Sequence, residues 1–146
     1  MLLLLFLLSN HLSGVRTIQA SPCDIVDVKL SVGQSTLLQF DEEPTLTFHA
    51  DDQHFLLKNH ESAKRSLAII PVIRDQDIQR IFGDTSSQRV PVGKAFSESL
   101  DRHYRTNLFV FLKSSSRLMF RLRLVEKSES DFVVRIKQVY RKGCGL

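Results

Sequence analysis

Apolar and polar positions alternate along most of the chain after residue 23, with the period of a β-strand that buries one face. Turn-forming Gly, Pro, Asp and Ser residues separate the alternating segments. Short strands spaced in this way favour an all-β fold, a β-sandwich or an open barrel. The predicted strands span residues 24–30, 35–40, 45–49, 67–73, 108–112, 118–125 and 132–139, and residues 54–58 form a further short apolar stretch.

Two of these segments carry extra information about their position in a sheet. Residues 108–112 (LFVFL) are apolar on both faces, which predicts a buried central strand. Pro71 interrupts the segment 67–73, and proline cannot donate to a ladder of hydrogen bonds. We therefore expect that strand to lie at an edge or to end at the proline.

The middle of the chain changes to helical spacing. Residues 75–83 place apolar side chains on one helical face, with Asp75 as a suitable N-cap and Gly83 as a suitable stop. Apolar residues spaced four apart between positions 96 and 104 predict a second short helix. The sequence thus predicts a helical insertion at about 75–105 within a single β-domain spanning 21–146.

The first residues have the pattern of an export signal. Residues 1–8 read MLLLLFLL, and a run of this length is too short to span a bilayer, which takes roughly 20 apolar residues. It fits the apolar region of a signal peptide at 1–20, with cleavage after Ala20. The alternative is a buried strand. Export predicts a periplasmic protein, or a secreted extracellular one, with no transmembrane anchor in the mature chain.

Cys23 and Cys144 are the only cysteines and lie near the two ends of the predicted mature chain. In an oxidising compartment they could close nearly the whole domain into one covalent loop. The alternative is two unrelated thiols, and the spacing does not choose between them.

Composition narrows the class of function. The chain has 146 residues, of which 42% are hydrophobic and 25% are charged, which excludes a disordered tail and a large multi-domain enzyme. The net charge of +4 is too small to indicate nucleic-acid binding. The sequence contains no Walker loop or Rossmann fingerprint for nucleotide binding, no G-x-S-x-G nucleophile elbow and no HExxH metalloprotease motif. His49 near Asp51 and Asp52 fits a turn better than a metal site. We expect no enzyme activity and no cofactor or metal.

The last two predicted strands indicate a basic surface. If they pair as a hairpin with apolar residues opposite apolar residues, Arg123 lies opposite Arg135. The same register puts Arg121 opposite Lys137. Like charges directly opposite one another destabilise a ladder, so four cations on one outer face suggest an anionic partner. The other interpretation is an ordinary solvated face.

Two aromatic residues, Phe109 and Phe111, would continue that outer face together with Met119. Apolar side chains at such positions need cover, either from the helical insertion or from another subunit. The predicted binding residues are Phe109, Phe111, Arg121, Arg123, Arg135 and Lys137.

The order of several short motifs resembles the TrbG/CagX conjugal-transfer family. Residues 32–40 (VGQSTLLQF) are similar to its opening strand, and 51–57 (DDQHFLL) to its turn and aromatic strand. Residues 67–71 (LAIIP) and 106–110 (TNLFV) are similar to its later signatures, and 117–124 (RLMFRLRL) to the strand after them. Pilus-secretin N-terminal domains share part of this pattern.

The resemblance covers roughly residues 28–125 and implies a periplasmic subunit of the type IV secretion outer-membrane core complex. Departures are the long segment between Pro71 and Thr106, and Phe55 and Met119 where the family has Trp and Tyr. The family's C-terminal domain is also missing, so outer-membrane insertion is not carried over.

The resemblance therefore implies a structural or assembly subunit of a secretion or conjugation apparatus, oligomeric with other subunits. The alternative is a secreted module that binds an anionic glycan or lipid through the basic face.

Overall fold

Nine β-strands and two α-helices form the part of the chain that the computed structural model describes, residues 14–83 and 90–144. The strands are β1 (Val15–Ala20), β2 (Ile25–Leu30), β3 (Thr36–Phe40), β4 (Pro44–His49), β5 (Phe55–Lys58), β6 (Ser66–Pro71), β7 (Thr106–Leu112), β8 (Arg117–Leu124) and β9 (Val133–Gln138). The helices are α1 (Asp75–Phe82) and α2 (Gly93–Tyr104).

The strands form two packed sheets. The five-stranded sheet has the order β1-β9-β3-β6-β5, and the four-stranded sheet has the order β2-β8-β7-β4. The β1–β9, β3–β9 and β2–β8 pairs are parallel, and the other pairs are antiparallel. The predicted all-β sandwich with a short helical insertion is confirmed.

The core lies between the sheets and follows from the alternation. Every second residue of β8, from Leu118 to Leu124, is buried, and the residues between them are half-buried. The same alternation buries Leu108, Val110 and Leu112 in β7 and Val134 and Ile136 in β9. β6 lies between β3 and β5 and is therefore not an edge strand. It ends at Pro71, which confirms the other expectation for that proline.

The helical insertion packs at the carboxyl end of β8. Leu100 and Tyr104 of α2 are buried in the core, and the buried carboxylate of Asp101 accepts a hydrogen bond from the Leu124 backbone N–H at 2.9 Å. The N-cap of α1 is Arg74 and not the predicted Asp75, which is the first residue of the helix. The Asp77 carboxylate accepts a hydrogen bond from the Arg74 backbone N–H at 2.9 Å. Gly83 ends the helix with a φ of 77°, as predicted.

The predicted hairpin between the last two strands is wrong. β8 pairs with β2 and β7, whereas β9 pairs with β1 and β3 in the other sheet. The connection after Leu124 crosses from one sheet to the other, so Arg123 does not lie opposite Arg135, nor Arg121 opposite Lys137. Alternation reports which face of a strand is buried, but it does not report which strand is its neighbour.

The predicted signal peptide overlaps the first strand. Residues 1–8, the apolar run, lie outside the described residues, but β1 pairs with β9 along its whole length. Arg16 forms two hydrogen bonds to the buried carboxylate of Asp131, at 2.8 and 2.9 Å. Cleavage after Ala20 stays a prediction, and it would remove this strand and leave Asp131 without its arginine. The described residues contain no helix long and apolar enough to cross a membrane.

Cys23 and Cys144 form a disulfide bond, with their Cα atoms 5.2 Å apart. Cys23 precedes β2 of the four-stranded sheet, and Cys144 follows β9 of the five-stranded sheet. The bridge therefore ties the two layers together across 121 residues of sequence.

Candidate docking surface

An apolar row crosses the outer face of the four-stranded sheet. Ile25 of β2 is in register with Met119 of β8, which is in register with Phe109 of β7 and, beyond it, Phe48 of β4. The two ends of the row are the most open, with Ile25 61% and Phe48 62% exposed. We call these four residues the apolar row.

A shorter apolar pair adjoins the apolar row. Leu46 of β4 is in register with Phe111 of β7, and Leu46 is 59% exposed. The helical insertion meets the carboxyl end of β8, so it leaves both Ile25 and Phe48 open to solvent. The first of the two expected covers, the helical insertion, therefore does not reach either end of the apolar row.

The two arginines on this face are paired with carboxylates. The Arg121 Nε–H donates to Asp27 of β2 at 2.7 Å, and a second arginine, Arg123, lies 3.5 Å from the same carboxylate. The Arg123 Nε–H also donates to the buried Asp101 at 2.9 Å. Asp101 is shared further with Arg105. Lys29 of β2 and Arg117 of β8 lie on the same face and form no ion pair in the described residues, so the face keeps positive charge that its carboxylates do not balance.

The titration of this cluster follows from its geometry. The hydrogen bond from the Arg121 guanidinium holds the pKa of Asp27 below its usual value, and the charges of Arg121 and Arg123 act in the same direction against partial burial. In return, Asp27 raises the pKa of Arg121. The arginines therefore stabilise ionised Asp27, and the Asp27–Arg121 pair stays charged near neutral pH.

Arg135 and Lys137 lie on the opposite side of the molecule, on the outer face of the five-stranded sheet. Both are exposed, and the Arg135 Nε–H makes only a long hydrogen bond of 3.4 Å to the Gln39 side chain. In the described residues no carboxylate lies within 4.0 Å of either cation. The six predicted binding residues are therefore divided between two surfaces, and no face carries all four cations.

An open cleft adjoins Phe111 at the other end of the sandwich from the helices. Its volume is about 690 Å³, and its walls include Arg117, Tyr140 and the disulfide bond. Tyr140 is 84% exposed, and its amphipathic ring lines the same cleft as Phe111. The cleft extends the apolar surface that Phe111 and Leu46 begin.

Comparison with known proteins gives no match to any family model and none to any curated protein. The described residues contain no group of three His, Cys, Asp or Glu side chains placed to hold a metal ion. The account of this surface therefore depends on its own geometry.

Sequence reasoning missed the neighbours of the predicted residues. Asp27 and Asp101 balance the arginines, but they are distant from them in sequence and no local pattern pairs them. Alternation within residues 45–49 does indicate that Leu46 and Phe48 share one face of their strand. What alternation could not indicate is that β4 lies beside β7 and so joins them to Phe109 and Phe111.

Proposed function

We propose that this protein is exported and acts as a structural or assembly subunit of a cell-envelope secretion or conjugation apparatus. It works by protein–protein contact, and the outer face of the four-stranded sheet, centred on the apolar row, is its docking surface. The observation that carries this proposal is the apolar row itself, which spans all four strands and is most exposed at Ile25 and Phe48.

The physical support is the combination of apolar area with arginines that are paired to carboxylates at its border. Scattered exposed apolar residues are normal, but a contiguous row across a sheet is typical of a surface that another protein covers. Paired arginines at its border fit the polar rim of such an interface. They contribute more to orientation and specificity than to attraction of a polyanion.

The alternative, capture of an anionic glycan or lipid, would depend on Lys29 and Arg117, which lie on the same face without an ion pair among the described residues. Such capture needs several free cations on one face, whereas Arg121 and Arg123 are bound to Asp27 and Asp101. The other two predicted cations, Arg135 and Lys137, face the other way.

The envelope assignment is supported by the sequence resemblance to TrbG/CagX subunits and by the disulfide bond. A bridge between Cys23 and Cys144 is typical of proteins that fold outside the reducing cytoplasm. The subunit role also agrees with a fold that offers two different outer faces, as ring-forming contacts require.

The test is co-purification from envelope extracts of the source cells. Tagged wild-type protein is compared with Ile25→Lys, which puts a charge at the open end of the apolar row, and with Leu56→Lys, an exposed position on the five-stranded sheet. We expect wild type and Leu56→Lys to recover secretion or conjugation components at low and high salt, and Ile25→Lys to lose them.

Recovery of no such components by the wild-type protein would count against the proposal. Retention that disappears steeply as salt rises, accompanied by binding to acidic polysaccharide or lipid, would favour the alternative instead.

A further inference from the structure

The four edge strands of the sandwich differ in how they are protected against pairing with another chain. In the described residues the edges are β1, β5, β2 and β4. β1 carries Arg16, β5 ends in Lys58, and β2 carries Asp27 and Lys29, and charged residues of this kind blunt an edge. β4, with the sequence PTLTFH, carries no Lys, Arg, Asp or Glu.

β4 also has a free side. It pairs with β7 on one side, and no strand of the described chain pairs with it on the other. Pro44 and a register shift between Pro44 and Leu46 disturb only its first residues. The backbone groups of residues 45–49 that point to this free side therefore have no strand partner in the described chain, and they lie next to the exposed side chains of Leu46 and Phe48.

Acidic residues flank this uncharged strand at both ends, although the chain as a whole has a net charge of +4. Residues 41–43 (DEE) precede β4, and Asp51 and Asp52 follow it closely. Local hydrogen bonds fix some of these carboxylates, since Glu42 accepts the Ser114 backbone N–H at 3.0 Å and Asp51 accepts from His54 at 2.8 Å.

The strand that already pairs with β4 has the complementary pattern. β7 is apolar and lies between Arg105 and Lys113, and the Lys113 backbone N–H donates to the Glu43 carbonyl at 3.0 Å. The two strands run antiparallel, so Arg105 lies toward the end of β4 that Asp51 and Asp52 follow. The Arg105 side chain pairs with Asp101 of α2, so the fold matches the two strands in the order of their charged flanks and not through an ion pair between those flanks.

We propose that the free side of β4 accepts an extended apolar segment flanked by Lys or Arg, supplied by a partner protein, which adds a fifth strand to the four-stranded sheet. Backbone hydrogen bonds would supply much of the affinity, and the acidic flanks would select basic ends. This inference rests on the proposed docking function and names the chemistry of the partner.

A second copy of this chain does not fit the same edge. An antiparallel β4–β4 pair centred on Thr47 would place Glu43 opposite Asp51, and a parallel pair would also bring acidic flanks together. Like charges facing one another across strands are destabilising.

The probe is a labelled synthetic peptide with the sequence of residues 105–113 (RTNLFVFLK), titrated into the purified, disulfide-bonded protein. Two control peptides carry either Val110→Pro, which removes a backbone donor and disturbs the strand, or both Arg105→Glu and Lys113→Glu, which reverse the flanks. We expect saturable binding of the first peptide, and binding weaker by about tenfold or more for each control.

Matched protein variants separate the edge from the face. Phe48→Lys changes β4, and Ile25→Lys changes the far end of the apolar row at nearly the same exposure, 62% against 61%. We expect Phe48→Lys to weaken peptide binding by about tenfold and Ile25→Lys to leave it unchanged. Hydrogen exchange should slow at residues 45–49 when peptide binds, while the β7 amides stay protected as before.

Absence of saturable binding, or equal weakening by both lysine variants, overturns the inference. Equal weakening places the peptide on the apolar row and leaves the proposed docking function intact. Loss of hydrogen-exchange protection in β7 would mean that the peptide replaces β7. Dimerisation that Phe48→Lys abolishes would mean that the partner is a second copy of this chain. Either result contradicts the inference.

Discussion

The outer faces of the two sheets follow from the same alternation of apolar and polar residues, but they differ in how their predicted basic residues are paired. On the four-stranded sheet, Arg121 and Arg123 are half-buried and bound to carboxylates beside an apolar row. On the five-stranded sheet, Arg135 and Lys137 are exposed, and no carboxylate of the described chain pairs with them. The neighbouring strands decide what a basic residue does: β2 and α2 supply Asp27 and Asp101, whereas β3 supplies only Gln39.

The largest expected effect comes from separating the two layers that carry these faces. Replacing both Cys23 and Cys144 with Ser removes the covalent tie between the start of β2 and the end of β9. We expect the free energy of unfolding to fall by about 4 kcal/mol, since the bridge closes a loop of more than 100 residues.

Denaturant unfolding of the oxidised protein and the double variant measures this difference. Reduction of the wild-type protein should give a similar loss. Equal stability of the three forms would mean that the sheets hold together without the bridge.

A second prediction breaks the charge balance on the four-stranded sheet. Asp101→Ala leaves Arg123, Arg105 and the Leu124 backbone N–H without their shared acceptor at a buried position. We expect a loss of about 3 kcal/mol in the free energy of unfolding and a looser α2.

The control for Asp101→Ala is Ser97→Ala, a half-buried position one turn earlier in the same helix, where the hydroxyl makes only a weak 3.3 Å hydrogen bond to the Gly93 carbonyl. Hydrogen exchange of the α2 amides supplies the second readout. If both variants unfold at the same denaturant concentration, Asp101 does not anchor the helix.

A third prediction concerns the five-stranded sheet and the start of the mature protein. Arg16→Ala removes the guanidinium that pairs with the buried Asp131, and it should cost about 2 kcal/mol where β1 is retained. If export cleaves the chain after Ala20, the mature protein no longer contains Arg16, and the substitution has no effect on its stability.

Mass spectrometry of the exported protein gives the mature N-terminus, and thermal unfolding of wild type and variant gives the stability. A mature protein that keeps residue 16 and is unaffected by the substitution would contradict the structural role of the Arg16–Asp131 pair.

These predictions show where sequence reasoning ends. The alternation in residues 118–125 located β8 and its buried face, and helical spacing located α1 and α2, because both signals are local. The pairing of β8 with β2 rather than with β9 depends on a chain crossing after Leu124, which leaves no periodic signal. For the same reason, the sequence named Arg121 and Arg123 as site residues and missed the aspartates that neutralise them.

The smallest expected effect is the acid titration of Asp27. Its pKa is lowered in the folded state, chiefly by the hydrogen bond from Arg121, so ionised Asp27 stabilises the fold at pH values above the ordinary aspartate range. This contribution is lost as the pH falls below about 4 and through the lowered pKa. Because the pair is partly exposed, we expect less than about 1 kcal/mol.

Stability measured between neutral pH and pH of about 2 tests this expectation. Asp27→Asn should differ from wild type at neutral pH and converge with it in acid. A difference that is constant across the range would mean that the carboxylate charge makes no contribution.

Site-specific photo-crosslinking in the source cells tests the docking surface most directly. A photoreactive residue is placed either at Ile25, at the open end of the apolar row, or at Leu56, on the outer face of the five-stranded sheet. The account predicts crosslinks from position 25 to a defined component of an envelope secretion or conjugation apparatus, and none to that component from position 56. Crosslinking of the same component from both positions, or from position 56 alone, would contradict it.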